Sequence, residues 1–306
     1  MELCRHGAMR HFAYNQNMIQ VWKISAHQIK VVQLQDMSAL DAITRQIPDG
    51  YYSTFRTFDG CTRALGLKAH LRRLFEPVTR AEVDASRLRG CLLQLLEPFR
   101  PGEARVRLVM TKQGQMYIAI EPLKILPREV YEKGVRVETT STQRHDPRIK
   151  STAFISASTD ERKHLMQEGI FEALLVANGK ILEGMTSNFF YVLRPERSEE
   201  RLLRRTQSKD AQHETLYTTQ RNILLGVTRT TVIRAARGRG VEVRYQPLKL
   251  NQLPAVKEAF ITSSSRGIVP VIQIDEVRVG RGRVGSLTKM LMSAYENEVL
   301  KKAEKM

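Results

Sequence analysis

Polar and apolar residues alternate with a period of two from Tyr51 to Thr57, and the alternation stops at Asp59-Gly60. That pattern reads as a strand with one buried face entering a hairpin turn. Leu67 to Leu74 carries apolar residues at helical spacing instead. Leu88, Cys91, Leu92, Leu95 and Leu96 share one face of a further helix, with Thr79 and Glu82 as its expected capping box and Pro98 and Pro101 as its stop. Early strands are expected within residues 11–32, and two more on either side of Gln113-Gly114 between Arg105 and Ile120. Pro122 to Pro127 reads as a linker and places a domain boundary near Leu126.

The second half opens with a strand at Val135 to Thr140, reaches Lys150, and continues into a helix ending near Gly169. Phe171 to Ala177 and Lys180 to Leu182 flank Asn178-Gly179, a strong hairpin signal because both turn residues tolerate positive φ. Phe189 to Leu193, Val241 to Tyr245 and Ala259 to Thr262 read as strands. Thr228 is expected to cap a helix running to Gly238, and Ser286 to Lys301 to form a last amphipathic helix. Arg194 to His213 is charged and nearly devoid of aromatic and β-branched residues, as in a surface insertion or flexible loop. No internal repeat is present. The expected division is a smaller N-terminal α+β domain over 1–125 and a larger domain over 126–306.

Composition narrows the class. With 306 residues, 42% of them hydrophobic, the chain can bury two modest cores. No stretch approaches the roughly 18 unbroken apolar residues of a membrane span, and MELCRHGAMRHF lacks the apolar run of a signal peptide, so a cytoplasmic address and no membrane partner are expected. Cys4, Cys61 and Cys91 are odd in number and lack CxxC spacing, so neither disulfides nor a metal site is expected. The formal charge of +17 raises nucleic-acid binding as a hypothesis of another class. The basic residues are scattered, without aromatic interleaving, and the densest cluster, Arg194 to Lys209, also carries acidic residues. A solvated basic surface and no nucleic-acid partner are the reading adopted.

The chemistry lies in an ordered set of motifs: DGYYSTFRTFDG, LKAHLRRL, DPRIKS, FEALLVANGKILEGMTSNFFYV, LLGVTR, EAFITSSSRGIVPV and GRVGSLTKML. From about Gly50 to Tyr295 this order resembles the fold-type IV family of pyridoxal-phosphate enzymes, the class IV aminotransferases. That family includes branched-chain aminotransferases, D-amino acid aminotransferases and aminodeoxychorismate lyases. The resemblance implies an α+β fold with a small N-terminal α/β domain and a larger C-terminal pseudo-barrel domain, pyridoxal 5′-phosphate between them, and a homodimer. It implies an enzyme that moves an amino group between a small amino acid, branched-chain or D-configured among the possibilities, and a 2-oxo acid. The alternative within the family is a lyase that eliminates pyruvate from aminodeoxychorismate with the same cofactor.

By the same resemblance, Lys150 in PRIKS is the lysine that forms a Schiff base with the cofactor and shuttles the substrate proton. Such a lysine must lose its own proton, which burial beside cations such as Arg148 favours. Glu183, in LEGMTSN, corresponds to the carboxylate that faces the pyridine nitrogen, with Asn188 beside it. Val227 and Thr228 in GVTR are expected to give the phosphate their amides and a hydroxyl at a helix start, and Ser264 to complete the cup. Arg73 matches the phosphate-binding arginine in preference to Arg72, since a guanidinium suits a phosphate and the pattern sets it three residues after His70. Tyr52, Arg56, Arg107 and Ser265 are substrate-side candidates, Arg56 and Arg107 for a carboxylate. The sequence departs from the family at Ser53, Ala153 and Ile155, where glutamate, asparagine and tyrosine are frequent. With the usual partner of the ring hydroxyl missing, Arg144 is its candidate replacement.

Overall fold

The computed structural model describes residues 18–194 and 214–306. The expected surface insertion, apart from Arg194, and the portion of the first strand region before Met18 lie outside the described residues. Two sheets organise the rest. The first holds seven strands, in chain order β1 (Gln20–Ile24), β2 (Ile29–Val31), β3 (Gly50–Phe58), β4 (Arg63–Leu65), β5 (Ala104–Thr111), β6 (Met116–Pro122) and the C-terminal β17 (Ala303–Lys305). The second holds ten: β7 (Val135–Thr140), β8 (Glu172–Ala177), β9 (Lys180–Gly184), β10 (Asn188–Leu193), β11 (Thr215–Thr218), β12 (Glu242–Tyr245), β13 (Leu248–Lys249), β14 (Val256–Ser263), β15 (Gly267–Ile274) and β16 (Val277–Arg278).

In the first sheet β3 and β5 pair antiparallel, with Tyr52 opposite Val109 and Thr54 opposite Arg107. Alternation then decides what each face meets. Val106, Leu108 and Met110 enter a core with Leu71 and Leu74 of α2 (Leu67–Phe75) and Leu88 and Leu92 of α3 (Ala85–Leu96). Tyr52 and Val109 face the opposite way, against Leu40 and Ile43 of the short helix α1 (Leu40–Gln46) and against Ile155. The hairpin at Asp59-Gly60 forms as expected, with positive φ at Asp59, Gly60 and Cys61. The capping box does not. The N-cap of α3 is Asp84, whose carboxylate accepts from the Arg87 amide at 2.7 Å, while the Glu82 amide is engaged by the Gly114 carbonyl.

The second sheet curls, so that one face encloses its own core of Val137, Leu174, Phe189, Tyr191 and Ile261. The other face packs Phe190 and Phe260, stacked at 4.9 Å, against Val232 of the helix Val227–Gly238 and Leu291 of the helix Ser286–Lys302. Buried Glu258 takes the Thr288 amide at 2.8 Å and its hydroxyl at 2.7 Å, satisfying the first turn of Ser286–Lys302. Asn178-Gly179 makes the expected hairpin between β8 and β9. Two expected helices differ in detail. Val227–Gly238 is capped at Gly226, which leaves Thr228 inside the first turn, and the helix after Lys150 is broken at Ser158 into Ala153–Ala157 and Thr159–Gln167. No helix among the described residues is long and apolar enough to cross a membrane.

Candidate active site

Residues 150–152 lie along the start of β3. The Tyr52 amide donates to the Lys150 carbonyl at 2.9 Å, the Thr152 amide to the Gly50 carbonyl at 2.9 Å, and the Gly50 amide to the Thr152 hydroxyl at 2.9 Å. Gly50 is required there, because a Cβ would stand 2.1 Å from the Met110 carbonyl oxygen. This pairing carries the Lys150 side chain into a cavity of about 560 Å³ between the two sheets. Its Nζ lies 4.6 Å from the centroid of the Tyr52 ring. Burial pulls the amine down to a pKa of about 8, helped by Arg144, Arg73 and Arg107 and opposed by Tyr52. Arg148 does not act as expected: it is exposed and donates to the Gln220 carbonyl.

Glu183, 2% exposed, stands one residue before the end of β9 in the same cavity. One oxygen, Oε2, accepts from the Asn188 side-chain amide at 3.2 Å and the Leu224 amide at 3.1 Å. The other forms an ion pair with Arg144 Nε at 3.0 Å. Burial pushes the Glu183 pKa up to about 7 against the pull of Arg144, the Leu224 amide and Lys150. Arg144 therefore stands on Glu183, with a further bond to the Met185 carbonyl at 2.6 Å and its guanidinium 4.0 Å from the Phe154 ring centroid.

An anion cradle adjoins this pair. Arg73 donates to the Leu225 carbonyl at 2.7 Å and lines the cavity, whereas Arg72 is exposed and lines a separate surface groove beside α3. Beyond Leu225 the backbone turns through Gly226 into Val227–Gly238, whose first-turn amides have no intrahelical acceptors. A Cβ on Gly226 would stand 2.2 Å from Asn188 Oδ1. The buried Thr262 hydroxyl lines the cavity without a hydrogen-bond partner, and the buried Thr228 hydroxyl lines it beside the Tyr295 phenol, with which it interacts. Ser264 and Ser265 line it from the turn after β14. Val227 is not among the lining residues; its side chain packs against Gly66.

Of the substrate-side candidates, Tyr52 and Arg107 line the cavity, with the Arg107 guanidinium 4.9 Å from the Tyr52 ring centroid. Arg56 is not brought there. Alternation sets it on the Tyr52 face, but further along the strand it has passed the cavity and lies over the Phe58 ring at 4.7 Å. Ser53, where the family often has glutamate, shares a buried hydrogen bond of 2.8 Å with His70, whose pKa burial, Arg73 and Lys150 hold well below the ordinary range.

Sequence reasoning missed a second buried carboxylate, Glu172. It accepts from the Thr186 amide at 2.6 Å, the Ser187 hydroxyl at 2.9 Å and Arg266 at 2.7 Å. Burial alone would raise its pKa, yet Arg266 and these donors outweigh burial and keep it low. Both partners sit inside quoted motifs, FEALL and SSSRG, but nothing in the spacing tied one to the other. Asp41, Arg105 and Arg162 also line the cavity and were not anticipated. Eight lining residues are lysine or arginine against four aspartates or glutamates, so the cavity draws anions.

The hydroxyls of Thr228 and Thr262, the open helix start and Arg73 fit a phosphate, and the nearby Lys150 amine and Glu183 carboxyl fit an aldehyde-bearing pyridine. The chain is 28% identical over 270 residues to a protein of Methanocaldococcus jannaschii provisionally assigned as a branched-chain-amino-acid aminotransferase, covering 81% of this chain and 86% of that one. It is 22% identical over 284 residues to the D-alanine aminotransferase of Bacillus licheniformis, covering 85% and 91%. Its fold is similar to the crystal structure of a Thermotoga maritima protein, provisionally assigned as a branched-chain amino acid aminotransferase. The TM-score is 0.71 at 22% identity, over 92% of this chain and 96% of that one. The family model for amino-transferase class IV matches residues 50–274. The chain belongs to the class IV aminotransferase family, whose cofactor is pyridoxal 5′-phosphate.

Proposed function

We propose that this protein transfers amino groups between amino acids and 2-oxo acids, with Lys150 as the covalent anchor and proton carrier. The observation that carries this reading is the placement of a half-buried amine and a buried carboxyl with opposed displacements in one cavity, the amine lowered to about 8 and the carboxyl raised to about 7. When bound, the cofactor supplies an aldehyde that links to amines and a ring that accepts electron density from the substrate carbon. Lys150 would hold it, and the neutral amine, once released, would take and return the substrate proton at Nζ. Glu183 would face the ring nitrogen, held in place by Asn188 and the Leu224 amide. Arg73, Ser264, the Val227 and Thr228 amides and the Thr228 hydroxyl would hold the phosphate. Tyr52 and Arg107 would wall the substrate, with Ser265 opposite.

The two sheets support a reading as two domains, 1–125 and 126–306, with β17 returning to the first. We read the working form as a homodimer, which the resemblance implies. The test is spectroscopic. Protein loaded with pyridoxal phosphate and mixed with an amino donor should exchange its aldehyde absorbance for that of the amine form and recover it on adding 2-oxoglutarate. A protein that retains no cofactor, or that releases pyruvate from aminodeoxychorismate without this exchange, overturns the transaminase reading.

A further inference from the structure

We propose that Arg266 and Glu172 are a pair of positioning residues that fix the spacing between the phosphate end and the ring-nitrogen end of the cofactor site, by tying together the two turns that carry those ends. The proposal rests on the pyridoxal-phosphate reading above and deepens it, since neither side chain is assigned a contact with the cofactor there.

The two turns belong to different strand pairs. Residues 185–187 join β9, which carries Glu183, to β10, which begins at Asn188. Residues 264–266 join β14 to β15 and carry Ser264. Asn188 stands opposite Thr262 at the end of the β10–β14 ladder, and both turns lie beyond that end. Among the described residues no backbone hydrogen bond crosses from one turn to the other. Their relative placement is left to side chains.

One guanidinium spans the gap. Arg266 Nε donates to the Ser263 hydroxyl at 3.0 Å, at the base of its own turn, while Nη2 donates to the Thr186 hydroxyl at 2.6 Å and to Glu172 Oε2 at 2.7 Å. Glu172, the first residue of β8, grips the other turn with its second oxygen. Oε1 accepts from the Thr186 amide at 2.6 Å, the Thr186 hydroxyl at 3.0 Å and the Ser187 hydroxyl at 2.9 Å. The arginine is itself held, by a bond from the Tyr131 phenol to its carbonyl at 3.0 Å and by the Phe171 ring, whose centroid lies 5.1 Å from the guanidinium. The fit is close beside Glu183: a Cβ on Gly184 would stand 2.1 Å from Ser187 Oγ and 2.7 Å from Glu172 Oε1.

The charges within the pair cancel, with Glu172 4% exposed and kept ionised by Arg266 and its other donors. A neutral pair attracts an anion only weakly, so removing both charges together takes away the spacing and leaves the attraction nearly as it was. Spacing matters to a ligand that must meet two receptors at once. A misplacement of about 1 Å between them can cost about a hundredfold, whereas a ligand that meets one receptor is indifferent to it.

The test separates spacing from attraction with three probes on the full chain: pyridoxal phosphate, which meets both ends, and pyridoxal and inorganic phosphate, which meet one each. The double variant Arg266→Gln with Glu172→Gln leaves the net charge unchanged. Its affinity for pyridoxal phosphate, by fluorescence titration, is expected to fall by about tenfold or more, while its affinities for pyridoxal and for inorganic phosphate, by calorimetry, change by less than about threefold. Arg266→Lys keeps the charge but has one ammonium in place of the fork, so the same selective loss is expected at about three- to tenfold. Thermal unfolding shows whether each variant is folded, and Arg266→Lys decides alone if the double variant is not. Unchanged affinity for pyridoxal phosphate overturns the proposal. So does an equal loss for inorganic phosphate, which would make Arg266 a direct anion ligand. A native protein that retains no pyridoxal phosphate fails the cofactor reading and the proposal with it, whereas native retention with indifferent variants fails the proposal alone.

Discussion

Tyr52 and Lys150 are tied to each other twice: the Tyr52 amide donates to the Lys150 carbonyl at 2.9 Å, and the Lys150 Nζ returns to 4.6 Å from the Tyr52 ring centroid. The first tie fixes where the lysine side chain begins and the second fixes where it ends. Confinement of this kind lowers the cost of presenting a neutral amine. In the cofactor-free protein, acylation of Lys150 followed by peptide mass spectrometry should half-saturate near pH 8, against 10.5 for an ordinary lysine. Tyr52→Leu removes the ring face that steadies the ammonium and should move the midpoint lower still. A midpoint at the ordinary value contradicts the burial that the site depends on.

Arg72 and Arg73 are neighbours in sequence with different surroundings. Arg73 reaches the carbonyl of Leu225, one residue before the cap of Val227–Gly238, while Arg72 is exposed to solvent. Arg73→Gln is therefore expected to weaken pyridoxal-phosphate binding by about ten- to a hundredfold, the range for a charged hydrogen bond. Arg72→Gln should change it by less than about twofold, as for a solvated charge. Fluorescence titration with the cofactor checks both, and similar losses in the two variants contradict the assignment.

Motif order singled out Lys150, Glu183, Arg73 and Thr228, each in a short segment whose residue types suit one chemistry, and the structure brings all four to one cavity. Arg56 was read correctly as to face and wrongly as to reach, since alternation gives direction but says nothing of where a cavity ends. The Asp41–Arg162 contact joins residues 121 positions apart, and local spacing carries no trace of it. The helix Leu40–Gln46 that presents Asp41 is two turns long, too short to display a period. β15 was not anticipated as a strand; it contains Pro270, a residue that ordinarily avoids the middle of a sheet, and Pro270 stands opposite Phe260 in a continuous ladder. The cap of α3 was assigned to Thr79 with Glu82, whereas Asp84 supplies it by accepting from the Arg87 amide.

Glu183 should leave a signature in the pH dependence of stability. Its carboxyl ionises near 4.5 in the unfolded chain and near 7 in the folded cofactor-free protein. Between these values the folded state holds the extra proton, so this group's contribution to stability falls as pH rises, and it is flat below 4.5 and above 7. The difference in unfolding free energy between Glu183→Gln and the native protein should therefore shift in favour of the variant by up to about 3 kcal/mol across that window. Urea unfolding at several pH values measures it. A pH-independent difference means that the carboxyl titrates normally when folded.

Gly226 and Gly238 sit at opposite ends of one helix and make opposite predictions for the same substitution. A Cβ on Gly226 would stand 2.2 Å from Asn188 Oδ1, and Asn188 is bonded through its amide to Glu183 and to the Leu224 carbonyl. Gly226→Ala must displace that side chain, so a loss of about 1–3 kcal/mol is expected together with weaker cofactor binding, because the displaced amide supports Glu183. A Cβ on Gly238 meets nothing within 4 Å, and the residue is helical. Gly238→Ala should raise stability by about 0.5–1 kcal/mol through the smaller backbone entropy of the unfolded chain, leaving cofactor affinity unchanged. Thermal unfolding and cofactor titration of the two variants test the pair together. If Gly226→Ala were as well tolerated as Gly238→Ala, the close approach of the helix start to Asn188, on which the shape of the anion cradle depends, would be wrong.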